Sequence, residues 1–597
     1  MTISPLSSAH DAQPNLREMV GQKLMLDFRY FCETGNASKC RQPMTQLPPA
    51  LQKLLQKYHI GGVILFAENV QDTEQIVNLT NTLQQISKTP IFISIDQEGG
   101  RVARINRAEA TSFTGNMSIG ATYDEHGDKY ATGVATAIAK ELSSLGINVN
   151  FAPTVDVNAN PLNPVINVRS FGEDPKRVAK LGEAQVRAFE KQGVVSALKH
   201  FPGHGDTQVD SHTGLPKVTH SLAQIKQRDL LPFEHIIQAQ QPGMIMTAHI
   251  QYPALDSSQV LNSQGERMIR PATMSRAIMH DLLRNKMGYN GVTITDALDM
   301  AGISDFFTPT DAVIETFNAG VDIALMPIPV RTSSDIEKFE RFFDTILKAA
   351  SDGRLQQQEV VASYQRIMSL KARIAEQQFT ATTAIAKATL GNPQHRQLEA
   401  ELALAAITKV KNNNLLPIKP KKGSHFHLVM PDRQKATALK QALQAATSAE
   451  IKVTITSLQA YKPERAQQFI KDADVVISAH ASPQQSAAEI GGMDDVAELK
   501  SYELSKQEQP KALLRLMQYA HSLEKASIFI SLRAPYEISK YVQYNQAVLA
   551  SYAYNVDVAL ENDVRGPAYT ALANVILGNA EARGHLPVSI ELETLRK

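Results

Sequence analysis

Tryptophan is absent from this chain, leaving 16 tyrosines and 20 phenylalanines among 597 residues to supply aromatic faces. A long cleft that stacks an extended polymer on aromatic rings is therefore disfavoured, and a small pocket suits the composition better. No run approaches 18 consecutive apolar residues, which excludes a membrane-spanning helix. Neither sign of charge is in excess: 61 Lys+Arg face 60 Asp+Glu, a net charge of +1. That argues against a general nucleic-acid binder, whose affinity needs clustered cations to displace counterions. The short run Lys419-Pro420-Lys421-Lys422 reads as a solvated patch beside a linker. Cysteine is scarce, with only Cys32 and Cys40, both in FCETGNASKC. The two would pair in an exported protein and remain thiols in the cytosol. The start, MTISPLSSAHDAQPN, lacks a positively charged region followed by an apolar core, so a cytoplasmic protein is expected, or a periplasmic or exported one if this start is a mature terminus. Solenoid repeats and low-complexity tracts are missing, and Gly491-Gly492 lacks the spacing of a nucleotide fingerprint.

What is present is an ordinary globular balance, 43% hydrophobic and 20% charged, with a strong rhythm in its first half. Apolar runs occur at KLMLDF (23–28), GGVILF (61–66), IFISID (91–96), INVNFAP (147–153), VVSALKHF (194–201), GMIMTAHI (243–250), GVTITDAL (291–298) and VDIALMP (321–327). Segments with helical spacing separate them, including 72–87, 127–145, 176–192, 221–240 and 270–289. The runs are nearly continuous rather than alternating, as in a parallel sheet buried on both faces. Eight strand–helix units predict a (β/α)8 barrel over 1–375, with an open doubly wound sheet as the competing topology. Residues 376–415 read as a helical linker. HFHLVM, KVTITS, DVVISA, SIFISL and AVLASYA then predict a three-layer α/β/α sandwich over 416–597.

On a barrel, chemistry sits where the strands end. Strand three ends in Asp96-Gln97-Glu98-Gly99-Gly100-Arg101, strand five in Lys199-His200, strand six in His249 and strand seven in Thr295-Asp296. Any one of these fits a helix cap or a solvated loop, but several agreeing is harder to explain that way. The richest stretch is KHFPGHGDTQVDSH, residues 199–212. Its His204, Asp206, Asp210 and His212 fit a metal site, an Asp210–His212 proton-transfer dyad, or a polar surface loop, with little to choose between them. Asp296 favours the dyad. A carboxylate looking into the barrel mouth, opposite a proton donor on a loop, makes the two halves of a retaining glycosidase. A histidine could serve as the acid because its ordinary pKa of about 6.5 lies near working pH. Asp96, Arg104, Arg169 and Lys199 are candidates to hold sugar hydroxyls.

KHFPGHGDTQVDSHTGLP resembles the signature of glycoside hydrolase family 3 in its β-N-acetylglucosaminidase branch. IDQEGGRVARI, NVRSFGEDP, TDALDM, NNNLLP, SLRAPYE and RGHLPVSI resemble further landmarks of that family, in order along nearly the whole chain. The resemblance implies a retaining exo-hydrolase that takes a small oligosaccharide and releases terminal β-linked N-acetylglucosamine, with no cofactor and no metal. It implies Asp296 as nucleophile and Asp210 and His212 as the acid/base dyad, with His212 transferring the proton. Asp96, Arg104, Arg169, Lys199 and His200 would bind the terminal sugar, and His204 would shape the loop or touch substrate. Rival readings are a phosphorylase with the same covalent intermediate, a metal-dependent barrel hydrolase, and a non-catalytic sugar-binding protein. Chitooligosaccharide and muropeptide substrates are not separated by the sequence, nor is an oligomeric state.

Overall fold

The computed structural model describes residues 14–211, 214–376, 381–481, 504, 508–560 and 563–591. Eight short strands follow one another around a parallel sheet: β1 (Leu24–Asp27), β2 (Gly62–Leu65), β3 (Phe92–Ile95), β4 (Val149–Asn150), β5 (Val195–Phe201), β6 (Met244–Thr247), β7 (Val292–Thr295) and β8 (Ala324–Leu325). β8 pairs with β1. The ring closes where Ile294 bridges Ile323 and the Thr295 amide donates to the Ile323 carbonyl at 3.0 Å. The sheet is therefore a barrel and not an open doubly wound sheet.

Both faces of each strand are buried, which is why the runs are continuous in sequence. Val63, Leu65, Ile93 and Ile95 face outward into the layer shared with the surrounding helices. Ile64, Phe92, Val149, Phe151, Val195, Ala197, Met244, Met246, Val292, Ile294 and Leu325 fill the interior. This period of two sets up the site. The inward rows Phe92–Ser94, Val195–Ala197 and Val292–Ile294 reach Asp96, Lys199 and Asp296 two residues later.

Helices flank the barrel at Thr73–Gln85, Lys129–Ser144, Pro175–Lys191, Leu231–Ala239, Pro309–Asn318 and Ser333–Ser351. Their starts carry ordinary signals: Asp174 caps the amides of Lys176 and Arg177 just before Pro175, and Thr308 caps before Pro309. Cys32 and Cys40, on the segment after β1, are joined in a disulfide with a Cα–Cα distance of 5.8 Å.

The expected linker holds two helices, Thr383–Thr389 and Pro393–Ala406, but its end belongs to the second sheet. There β9 (Thr408–Asn412) is an edge strand, antiparallel to β14 (Ala547–Ala550). TKVKN places lysines on a half-exposed edge, so it lacks the apolar run that marks its neighbours. Between them lie β10 (His425–Met430), β11 (Lys452–Ser457), β12 (Val475–His480) and β13 (Ala526–Ser531), in the spatial order β9-β14-β13-β12-β10-β11. Helices Arg433–Ala445 and Pro567–Leu577 cover one face through Leu439, Leu443, Leu572 and Ile576. Pro463–Asp472 and Gln509–Ser522 cover the other through Ile470, Leu513 and Leu516, completing three layers. Among the described residues no helix is long and apolar enough to cross a membrane.

Candidate active site

The top layer of the barrel interior, Ile64, Phe66, Phe151, Met246 and Leu325, is the floor of a cavity of about 230 Å³. Its walls bring together Asp96, Arg104, Arg169, Lys199, His200 and Asp296, six of the expected site residues, from four different strand ends and loops.

Ionic pairing holds these walls. Lys199 Nζ donates to Asp96 Oδ1 at 2.8 Å and meets Glu98 Oε1 at 2.6 Å. Arg169 donates through Nε and Nη2 to the two oxygens of Glu98, at 3.0 and 2.7 Å. Burial alone would raise the Glu98 carboxyl, but Arg169 and Lys199 outweigh it and hold the group well below the usual carboxylate range. Burial likewise works against charge on Lys199, but Asp96 and Glu98 prevail and raise its pKa, so it stays an ammonium. Glu98 lies in the polar end of strand three yet was not among the expected site residues. Its signal is its position in DQEGGR, directly before two glycines in left-handed backbone: Gly99 has φ 89° and Gly100 φ 60°.

Arg104 is buried, and its Nε and Nη1 have no hydrogen-bond partner among the described residues. A buried donor without an acceptor costs about 1–3 kcal/mol. An oxygen-rich ligand in the cavity would supply the acceptor. Arg29, from the segment after β1, also lines the cavity and stacks over Phe66 with its guanidinium carbon 3.6 Å from the ring centre. Asp299 adds a second carboxylate near Asp296. Desolvation and the neighbouring Asp27 push it up to about 6. Neither residue was expected from the sequence, since only the folded barrel brings the end of β1 beside the end of β7.

Asp296 is half-buried, with Oδ1 accepting from the Ala297 amide at 2.8 Å. The loop after β5 comes to it from the side. The Ser211 carbonyl accepts from the Gly302 amide at 3.1 Å, six residues beyond Asp296 on the same connection. Asp210 is half-buried on that loop, whereas His212 lies outside the described residues. His204 does not reach the cavity as a substrate contact. It is buried, with Nδ1 2.7 Å from Thr207 Oγ1 and Nε2 3.0 Å from Ser211 Oγ. Asp206 meets His220 Nε2 at 2.9 Å, and the other His220 nitrogen faces Asp229 at 2.9 Å. His204 and Asp206 thus turn to separate partners rather than converging as metal ligands, and no candidate metal cluster occurs among the described residues.

Residues 16–370 match the model described as "Glycosyl hydrolase family 3 N terminal domain". The chain is 61% identical over 601 residues to "Beta-hexosaminidase A" of Pseudoalteromonas piscicida, covering 98% of this chain and all of that one. It is 31% identical over 383 residues to a "Beta-N-acetylglucosaminidase/beta-glucosidase" of Cellulomonas fimi, covering 64% of each. Among solved structures, a glycoside hydrolase family 3 β-N-acetylglucosaminidase from Paenibacillus sp. str. FPU-7 superposes with a TM-score of 0.76 at 28% identity, over 96% of this chain and 99% of the other.

Proposed function

The chain belongs to glycosyl hydrolase family 3 and is an enzyme of the β-hexosaminidase type; on that premise we propose a retaining exo-glycosidase that releases terminal non-reducing β-linked N-acetylglucosamine from chitooligosaccharides or peptidoglycan fragments. The observation that carries this reading is the placement of Asp296 at the end of an inward-facing apolar row, in a cavity walled by Arg104, Arg169, Lys199 and His200. The cations and the Asp96 carboxylate bind the hydroxyls of one sugar ring and fix its anomeric carbon above Asp296. The Asp296 carboxylate attacks that carbon as the glycosidic bond breaks. His212 protonates the departing oxygen while Asp210 holds the imidazole in place. Water then attacks the glycosyl-enzyme, with His212 now taking its proton, and Asp296 leaves.

The bonded Cys32–Cys40 pair supports an oxidising compartment over the cytosol expected from the sequence. Hydrolysis of p-nitrophenyl β-N-acetylglucosaminide, compared with the glucoside and run with and without EDTA, tests the reading. Preference for the acetamido sugar and indifference to chelator are expected. Preference for the glucoside would remove the amino-sugar assignment, loss of activity to EDTA would remove the dyad mechanism, and a sugar 1-phosphate formed in phosphate buffer would make the enzyme a phosphorylase.

A further inference from the structure

Between the sugar-binding wall and the loop that bears Asp210 stands a buried carboxylate that none of the catalytic steps above uses. Asp156 follows β4, and its side chain is fully enclosed. Its Oδ1 accepts from the His200 amide at 3.2 Å, near the end of β5, and from the His204 amide at 2.7 Å, in the turn that follows. Its Oδ2 lies 2.7 Å from His200 Nδ1. We propose that Asp156 is the positioning residue of this active site: one carboxylate sets which His200 nitrogen faces the sugar and anchors the turn from which the Asp210 loop departs. The inference rests on the glycosidase reading and extends it to a residue outside the reacting set.

The first arm follows from donor and acceptor arithmetic. Burial would raise the Asp156 carboxyl, but the His200 ring and the His204 amide that donate to it outweigh burial and lower its pKa, so it is ionised and only accepts. His200 Nδ1 must therefore carry the hydrogen. Nε2 lies 3.4 Å from Arg169 Nη2, and a guanidinium only donates. His200 thus turns Nδ1–H to Asp156 and presents the lone pair of Nε2 on the cavity side, where it can accept from a sugar hydroxyl.

The second arm runs through His204. Burial lowers its pKa to about 4, so the ring is neutral at working pH. Thr207 spends its one hydroxyl hydrogen on the His204 carbonyl at 3.1 Å, which makes His204 Nδ1 the donor to Thr207. Nε2 is then the acceptor for the Ser211 hydroxyl. Ser211 sits between Asp210 and His212, and its carbonyl is held by Gly302. The amide anchored by Asp156 and the ring that grips Ser211 belong to one residue, so a shift at Asp156 displaces both the sugar contact and the loop that bears Asp210.

The test compares Asp156→Asn and Ser211→Ala with the unaltered enzyme on aryl β-N-acetylglucosaminides with good and poor leaving groups. An asparagine of the same shape cannot accept from all three donors and puts its own N–H groups against at least one. Asp156→Asn should raise KM and lower kcat for every leaving group, a loss in kcat/KM of roughly 10²-fold, as for a small misplacement of reacting groups. Ser211→Ala leaves the Asp156–His200 pair intact. It should lower kcat on the poor leaving groups several-fold more than on the good ones, with KM unchanged. Wild-type kcat and KM in Asp156→Asn would overturn the proposal, and an equal loss on all leaving groups in Ser211→Ala would overturn its second arm. Should Asp156→Asn not fold, the ¹⁵N shifts of the His200 ring in the unaltered protein decide the first arm, with His200→Gln identifying the signal. A protonated Nδ1 and bare Nε2 are expected, and the reverse tautomer would refute it. An unaltered enzyme inactive on every acetamido substrate would instead fell the functional reading, whatever the tautomer.

Discussion

At Asp296 a carboxylate ends an apolar row without contributing to its packing, so its loss should cost chemistry and little stability. Asp296→Ala should lower kcat roughly 10³-fold or more, with a melting temperature within about 3 °C of the parent. Glu98 behaves in the opposite sense. It neutralises both Arg169 and Lys199 in a buried site, so Glu98→Gln should destabilise the protein by about 3–5 kcal/mol in denaturant unfolding, the usual cost of leaving a buried ion unpaired. His204 gives stability a pH dependence. Its folded pKa is lowered to about 4, while an unfolded histidine titrates near 6.5. Between those values the unfolded chain binds a proton that the folded one refuses. Stability should therefore fall as pH drops from about 6.5 to about 4 and level off below, a change approaching about 3 kcal/mol. His204→Gln should remove that slope, as the difference between two urea titrations across the window. Asp96, Lys199 and Asp296 were legible because period two carries each inward row to a charged residue. Arg104 and Arg169 were candidates by charge alone and the dyad was one of three readings of its loop, so the motif likeness was needed to assign their roles. Asp156 was illegible: it sits in the apolar stretch FAPTVDV, and its partners lie 44 and 48 positions away.

The first part of the loop after β5 is stitched down. Tyr252 donates to the Gly203 carbonyl at 2.6 Å, Asn163 to the His204 carbonyl at 2.8 Å, and His220 ties Asp206 to the buried Asp229. Gly205 lets it approach the connection after β4, because a Cβ there would stand 1.7 Å from the Val157 carbonyl oxygen. Gly205→Ala should consequently push the loop outward and cut kcat/KM at least tenfold on poor leaving groups. At this scale the barrel was readable, since eight continuous apolar runs each had to be buried on both faces. β9 was not. An edge strand of alternating lysines has no hydropathy signal of its own and is defined by the strand it borders.

The second domain packs behind the sugar-binding wall. Met117, Ala121 and Val168 of the barrel half share a core with Tyr552 and Val588, and Val168 precedes Arg169. Arg101, three residues after Glu98, lies under the Tyr554 ring at 5.1 Å, and Asn555 donates to Ser112 at 2.8 Å. Tyr554→Ala should thus loosen the 99–101 turn and raise KM several-fold while kcat changes less, a split that steady-state kinetics would resolve. Two domains were visible in the sequence, but their contact was not, because it joins residues hundreds of positions apart. The cavity itself carries a last implication. At about 230 Å³ it falls below the roughly 300–1,000 Å³ of sites that enclose drug-sized ligands, and its floor is the packed barrel interior. On the proposed reading it admits a chain terminus rather than a strand passing through. The enzyme then counts molecules rather than mass: its flux on a polymer follows the number of free tips, so each internal cut made by another hydrolase would add one tip while leaving the dissolved weight almost unchanged.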